Sequence, residues 1–254
     1  MRSNLIRSAL GPVQWFLKGN YYRFLTRNCH VPIVEFLGGP DRRIRKGRFE
    51  GIGCYYKTAL LNTLIKLKPQ VSLEIGTHVG GTTRVFQHYF KRHEPYGRLI
   101  TADIRKYCDV TDARTTQVIV YPHVTNIGDY HDVNETQMLP HNESQINNSV
   151  ELNCQIIREA LYGIGAEGFD FCFVDGDHQR KSFLGDIATC AKLSKRPHYI
   201  LLDDTKDELH ECSFIYQNEL RTAYDHYDFD DWMPRLFVGM SLIWEKQSSF
   251  SYRP

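Results

Sequence analysis

The 254-residue chain lacks several features that would assign it to a class directly. It has no apolar run of 18 residues, so no segment is predicted to cross a membrane, and its first residues are not typical of a signal peptide. Its seven cysteines include no C-x-x-C pair. This pattern argues against a zinc module or a disulfide scaffold and predicts a reduced, cytoplasmic protein. The formal net charge of only +1 gives no global field that would attract nucleic acid.

The charge is unevenly distributed. Residues 1–50 hold ten Lys or Arg and three acids, a net of +7, whereas the remainder holds 21 and 27, a net of −6. Such a basic segment is either a solvated face or a surface for an anionic partner. Its apolar residues 13, 16, 17, 21, 24 and 25 have helical spacing. The stripe predicts a helix that packs on the body or on a second subunit of a homo-oligomer, with weak membrane-surface contact as the alternative.

Residues 51–254 are predicted to form one α/β domain behind this helical N-terminal extension and its linker. Apolar runs predict strands at 71–75, 98–103, 123–127, 169–175 and 198–204, with a last strand within 236–246. Helical periodicity lies between them, at 55–67, 81–93, 149–164, 178–193 and 207–227. Residues 130–150 are polar and read as an insertion. The alternation predicts a doubly wound, Rossmann-like sheet that is mostly parallel.

The stretch VSLEIGTHVGGTT, residues 71–83, joins a strand to a helix through a glycine loop. The strand reaches Glu74 near its end, and Gly76, Gly80 and Gly81 follow. Glycines let a ligand approach the backbone, and the helix beyond offers unpaired N–H groups, although close packing of helix on strand would also select glycine. Asp103 ends the next strand, where doubly wound sheets bind ribose hydroxyls. The glycine spacing is not that of dinucleotide-binding loops, and the lysine of a P-loop is absent.

Acids also end the two later strands, FDFCFVD and HYILLDD. If the strands are neighbours, Asp175, Asp203 and Asp204 meet at one edge, where a hard cation such as Mg²⁺ could offset their repulsion. Solvated acids at loop starts are the alternative. His178 follows closely and could accept a proton from a hydroxyl group, or could simply begin a helix.

EIGTHVGGTT resembles the first motif of class I S-adenosylmethionine-dependent methyltransferases, in the form found in small-molecule O-methyltransferases. The resemblance covers about residues 55–245 and implies a sheet of about seven strands whose last strand is antiparallel. It implies that Glu74, Gly76 and Thr77 face the methionine half of S-adenosylmethionine, with Gly80 in the same cofactor-binding loop. Asp103 would bind the ribose.

Other motifs extend the resemblance. Gly128 and Asp129 resemble the G-D pair that lies near the adenine. VDGDH and LLDDT resemble the two acidic motifs of caffeoyl-CoA-type, metal-dependent O-methyltransferases, with Asp204 at the position of an asparagine and His178 at that of a lysine. This implies Asp175, Asp203 and Asp204 as metal ligands, and Asp175 and His178 as catalytic residues. The D-G-D-H string also resembles bacterial sugar O-methyltransferases and cephalosporin-hydroxylase-like proteins.

The sequence therefore predicts O-methylation of a small hydroxylated molecule, with a sugar as one candidate and with Mg²⁺ assistance. A nicotinamide-dependent oxidoreductase is one alternative, which the glycine spacing disfavours. A catalytically silent binding protein is another, which the set Glu74, Asp103 and Asp175 disfavours.

Overall fold

The computed structural model describes residues 54–123, 143–205, 211–229 and 239–246. The predicted N-terminal extension, Gly128 and Asp129 lie outside these ranges. The five cysteines whose side chains are described form no disulfide.

Within the described ranges, seven strands form one sheet in the order β3-β2-β1-β4-β5-β7-β6. They are β1 (Val71–Ile75), β2 (Arg98–Asp103), β3 (Thr115–Ile119), β4 (Phe169–Val174), β5 (Ser194–Leu202), β6 (Asp225–Asp228) and β7 (Ser241–Trp244). Strands β1 to β5 are parallel, and β7 runs antiparallel to both β5 and β6. The predicted doubly wound sheet with an antiparallel last strand is confirmed.

Helices cover both faces of this sheet. They are α1 (Cys54–Leu67), α2 (Thr83–Arg92), α3 (Glu143–Gly163), α4 (Arg180–Leu193) and α5 (Glu211–Ile215), which continues through a π-helical turn (Tyr216–Leu220) into α6 (Arg221–Ala223). None of the helices within the described ranges is long and apolar enough to cross a membrane.

The alternation of side chains along β4 shows how the two cores arise. Phe171 and Phe173 pack with α1 and α2 on one face, while Cys172 and Val174 pack with α3, α4 and α5 on the other. Both faces of the central strands are therefore apolar, and polar residues collect where the parallel strands end.

The third strand differs from the prediction. The sequence favoured residues 123–127, but β3 is Thr115–Ile119, paired in parallel with β2, and His123 lies beyond it. Residues 124–127 lie outside the described ranges. The run TTQVI is rich in β-branched residues, but its apolar and polar residues alternate poorly, so its strand periodicity is weak. It also follows β2 without a described helix between them, which the alternation of strands and helices did not predict.

The predicted helix at 207–227 also ends early. Tyr224 has an extended backbone, with φ −120° and ψ 156°, and the following residues DHYD form the edge strand β6. The polar insertion predicted near 130–150 overlaps α3, which already begins at Glu143.

Candidate functional site

A cavity of about 510 Å³ opens where the parallel strands end. Most of the predicted site residues line it, namely Gly76, Thr77, Asp103, Asp175, His178, Asp203 and Asp204, whereas Glu74 and Gly80 do not. Six aspartates contribute to the described lining, and no lysine or arginine does. The site is therefore suited to a ligand that carries positive charge or hydroxyl groups.

The two glycines of the loop have separate structural reasons. Gly76 has φ +100°, and a Cβ there would lie 1.9 Å from the Asp175 carbonyl oxygen, so the loops after β1 and β4 touch at this residue. Gly80 has φ +75°, and a Cβ would lie 2.4 Å from Val110 Cγ1. Gly76 thus forms the cavity wall, while Gly80 lets the segment after β2 pack against the loop.

Glu74 supports the loop from beneath. Its side chain is fully buried on the α2 face, where Oε2 accepts hydrogen bonds of 2.6 Å from the hydroxyls of Thr83 and Thr101. The Thr77 hydroxyl lies 2.5 Å from that of Thr101, which extends the network to the cavity wall. Burial raises the pKa of Glu74 to about 8, so the carboxyl is mostly protonated at neutral pH. The sequence placed Glu74 against the ligand; the structure places it below the wall.

Asp103 is held by the backbone. Its Oδ2 accepts the N–H of His78 and its Oδ1 the N–H of Ile104, both at 2.7 Å. Burial raises the pKa of Asp103, and these backbone donors oppose the shift. Each carboxylate oxygen can accept a further hydrogen bond. Asp103 is therefore a fixed acceptor for hydroxyl groups of a ligand, as the predicted ribose contact requires.

Acids crowd one another on the opposite side of the cavity. Asp175, Asp203 and Asp204 lie together there and affect one another's ionisation. Burial raises the pKa of Asp175 and that of Asp203 well above the usual range, and a neighbouring carboxylate raises each further, Asp204 acting on Asp175 and Asp175 acting on Asp203. This pair needs a shared proton or a nearby cation to be stable.

His178 stands beside this pair. Its Nδ1 lies 3.2 Å from Asp204 Oδ2, and its Nε2 lies 3.9 Å from Asp175 Oδ1. Asp204 adopts a left-handed backbone with φ +50°, its N–H donates to Asp203 Oδ1 at 2.9 Å, and its carbonyl accepts from the Cys212 thiol at 3.2 Å. These contacts direct the Asp204 carboxylate at the imidazole.

The predicted magnesium ligands Asp175, Asp203 and Asp204 all line the cavity. Within residues 54–123, 143–205, 211–229 and 239–246, no three His, Cys, Asp or Glu side chains are arranged to hold one metal ion. In this arrangement the Asp204 carboxylate contacts the imidazole of His178.

The sequence missed one part of the wall. Residues 120–123, which follow β3, line the cavity together with Ser182 and Asp186 of α4. His123 Nε2 lies 3.2 Å from Asp186 Oδ1, and both side chains are buried. A signal existed for Asp186, because it lies on the buried stripe of α4 beside Phe183 and Ile187, and a buried acid needs a partner. Nothing in the sequence identifies that partner as His123.

Comparisons with known proteins identify a family for this chain. The methyltransferase-domain family matches residues 73–205, just over half of the chain, and this segment holds the glycine loop and both acidic motifs. A comparison with curated protein sequences finds no match.

Several solved structures share the fold. A putative caffeoyl-CoA O-methyltransferase from Staphylococcus aureus is 11% identical with a TM-score of 0.51, covering 90% of this chain and 99% of that chain. Cofactor-bound Rv0187 from MTB is 14% identical with a TM-score of 0.50, covering 85% and 95%. MycE methyltransferase of the mycinamycin biosynthetic pathway, solved with Mg, SAH and mycinamycin VI, is 14% identical with a TM-score of 0.50, covering 81% and 53%.

At these identities the three structures establish the fold alone, a Rossmann-like methyltransferase sheet, as the sequence predicted. Membership rests on the family match, which spans the glycine loop, Asp103 and the acidic motifs. The chain belongs to the methyltransferase-domain family.

Proposed function

We propose that the protein transfers the methyl group of S-adenosylmethionine to a hydroxyl oxygen of a small molecule. A sugar is the acceptor class favoured by the resemblance of the D-G-D-H string to sugar O-methyltransferases. The observation that carries the proposal is the position of His178, which lies between Asp175 and Asp204 in the same cavity lining as Gly76 and Thr77.

The residues around the cavity fit the cofactor. Gly76 leaves room at the wall because it has no Cβ, Thr77 lines the same wall, and Asp103 offers acceptors for ribose hydroxyls. The acidic lining suits the positive charge of a sulfonium group. When bound, S-adenosylmethionine supplies an electrophilic methyl group.

His178 is the proposed general base. A ring that donates its Nδ1–H to Asp204 holds its other nitrogen, Nε2, as the proton acceptor for a substrate hydroxyl. Asp204 then stabilises the imidazolium that forms, as a carboxylate does for a catalytic histidine in other enzymes. Asp175, 3.9 Å from Nε2, lies where it can orient the acceptor hydroxyl beside the base.

A second form of the proposal adds Mg²⁺. Its support is that the acids after β4 and β5 meet at one edge of the cavity, and that the MycE structure contains Mg. Asp175, Asp203 and Asp204 would hold the ion after Asp204 turns away from His178. A bound Mg²⁺ would lower the pKa of the acceptor hydroxyl and orient it.

Methyl transfer to a panel of acceptors tests both forms. The full chain is incubated with methyl-labelled S-adenosylmethionine and hexoses, glycosides or catechols, with and without excess EDTA. We expect label on an oxygen atom of one acceptor class, with transfer persisting in EDTA. Loss in EDTA that Mg²⁺ restores would support the second form, and label only on nitrogen, carbon or sulfur acceptors would overturn O-methylation. Cofactor binding without transfer to any acceptor would support the silent binding protein.

The cytoplasmic location and a homo-oligomeric state stay predictions.

A further inference from the structure

We infer that the buried His123–Asp186 pair positions the wall that receives the base of the bound cofactor. This inference rests on the proposed function, because it assigns a role within the same cavity. In the proposed function, Asp103 at the end of β2 binds the ribose. The acidic side of the cavity, formed by Asp175, Asp203 and Asp204, lies at the ends of β4 and β5. The strand order therefore places the base on the other side of Asp103, at the segment 120–123 that follows β3.

This segment is fixed at two points of its backbone. The N–H of Val120 donates to the Asp103 carbonyl at 2.9 Å, which ties the wall to the ribose-side acid. The Asn153 side chain of α3 accepts the Tyr121 N–H at 2.8 Å and donates to the Tyr121 carbonyl at 2.9 Å. Because Asn153 is buried and both bonds go to one residue, Tyr121 has little freedom to move.

The His123 ring forms the third attachment. Its Nδ1 lies 2.7 Å from the Ser149 hydroxyl, and its Nε2 lies 3.2 Å from Asp186 Oδ1. A ring with its proton on Nε2 donates to Asp186 and accepts from Ser149, so both nitrogens are satisfied. Gly185 makes room for the ring, because a Cβ there would lie 2.6 Å from His123 Cγ.

Asp186 connects this wall to the loop after β4. A Cβ on Gly176 would lie 2.7 Å from Asp186 Oδ2, so the glycine of VDGDH allows the Asp186 carboxylate to approach that loop. One oxygen of Asp186 therefore faces His123 while the other faces Gly176, and both of those residues line the cavity. The pair thus fixes the distance between two walls of the site.

A serine, a histidine and an aspartate in contact are also the residues of a hydrolytic triad, and here they are Ser149, His123 and Asp186. Ser149 is 2% exposed and is not part of the cavity lining, so its hydroxyl cannot reach a ligand there. The arrangement is therefore a positioning device and not a nucleophile with its base.

Calorimetry with two ligands tests the inference. S-adenosylhomocysteine contains the base, the ribose and the amino-acid end, whereas 5′-methylthioadenosine lacks the amino-acid end. In His123→Gln and in Asp186→Asn we expect the affinity for both ligands to fall by the same factor, about tenfold. The KM for S-adenosylmethionine should rise by a similar factor with kcat little changed, since binding to the ground state and the transition state is lost equally.

Matched variants separate this role from general stability. His198→Gln removes another buried histidine, on β5 and outside the cavity lining, and should lower the melting temperature without changing either affinity. Ser149→Ala removes the hydrogen bond to one side of the His123 ring with only a small change in volume. It should lower the affinity for both ligands by a smaller factor than His123→Gln, and it replaces that variant in the test if His123→Gln does not fold. The double variant His123→Gln/Asp186→Asn should bind both ligands no more weakly than the weaker of its two single variants, because both changes remove the same contact.

The outcomes are distinct. Wild-type affinities in His123→Gln, Asp186→Asn and Ser149→Ala would overturn the inference while leaving the proposed function intact. Weakening of S-adenosylhomocysteine alone would also overturn it, because the pair would then act on the amino-acid end. A wild-type protein that binds neither ligand would instead overturn the proposed function.

Discussion

The two sides of the cavity satisfy their acids in different ways. On the glycine side, after β1 and β2, both oxygens of Asp103 accept backbone N–H groups. On the acidic side, after β4 and β5, Asp175 and Asp203 affect each other's ionisation, and Asp204 contacts a histidine. A carboxylate held by backbone donors is fixed before a ligand arrives, which suits binding. The ionisation of carboxyl groups that repel one another changes with pH and with nearby charge, which suits a catalytic role.

The first prediction separates chemistry from binding. His178→Gln removes the proposed base, so methyl transfer should fall by about 10²–10⁴-fold while the affinity for S-adenosylhomocysteine stays at the wild-type value. Single-turnover kinetics and calorimetry measure the two quantities. His226→Gln, on the edge strand β6 and outside the cavity lining, is the control and should change neither. Equal losses of binding and turnover in His178→Gln would show that the two sides are not distinct.

The second prediction concerns Gly76, where the two sides touch. Gly76→Ala adds a Cβ 1.9 Å from the Asp175 carbonyl oxygen at a φ of +100°. Backbone strain and overpacking together should lower the free energy of unfolding by about 2 to 6 kcal/mol. Gly165→Ala is the control, because Gly165 has φ +71° and no described residue comes within 4 Å of a Cβ there, so strain alone should cost about 1 to 3 kcal/mol. Urea unfolding measures both, and equal costs would contradict the close contact.

The third prediction tests how the base is oriented. Asp204→Asn keeps a residue type that tolerates the left-handed backbone at φ +50° but removes the charge beside His178. Methyl transfer should fall by about 10- to 100-fold, the value of one charge-assisted hydrogen bond, with cofactor affinity unchanged. A variant as active as the wild type would show that Asp204 does not serve His178.

The fourth prediction concerns Glu74, beneath the glycine side. Its pKa is raised to about 8 from 4.5, so between these values the folded protein holds a proton that the unfolded chain releases. This contribution to stability is complete below about pH 4.5 and is lost as pH rises through the folded pKa, by about 1.4 kcal/mol per pH unit. Glu74→Gln resembles the protonated form and should remove this slope. Unfolding free energies at about pH 6 and pH 7 measure it, and parallel profiles for the two proteins would refute the buried, protonated carboxyl.

The sequence predicted the parts of this molecule that are carried by long apolar runs. Strands β1, β2, β4 and β5 are such runs, and the acids at their ends, Asp103, Asp175, Asp203 and Asp204, could be placed at one edge once the strands were taken as parallel. The sequence could not distinguish an acid that lines the cavity from an acid whose side chain points to one face of the sheet. Glu74 alternates with the apolar neighbours Leu73 and Ile75, so its side chain goes to the α2 face.

The parts that were missed depend on contacts between distant segments. Strand β3 is short and half-buried, and β6 is a polar edge strand inside a helical pattern, so neither has a strong period of its own. The His123–Asp186 pair joins the segment after β3 to α4, and only the folded chain brings the two together. Asp204 contacts His178, and the motif alone could not predict this direction of its side chain.

Calorimetric titration of the full chain with S-adenosylhomocysteine, and separately with NAD, tests the central claim most directly. We expect one S-adenosylhomocysteine to bind per chain, Asp103→Ala to weaken its affinity, and NAD to give no heat of binding. Binding of NAD with no binding of S-adenosylhomocysteine would contradict it.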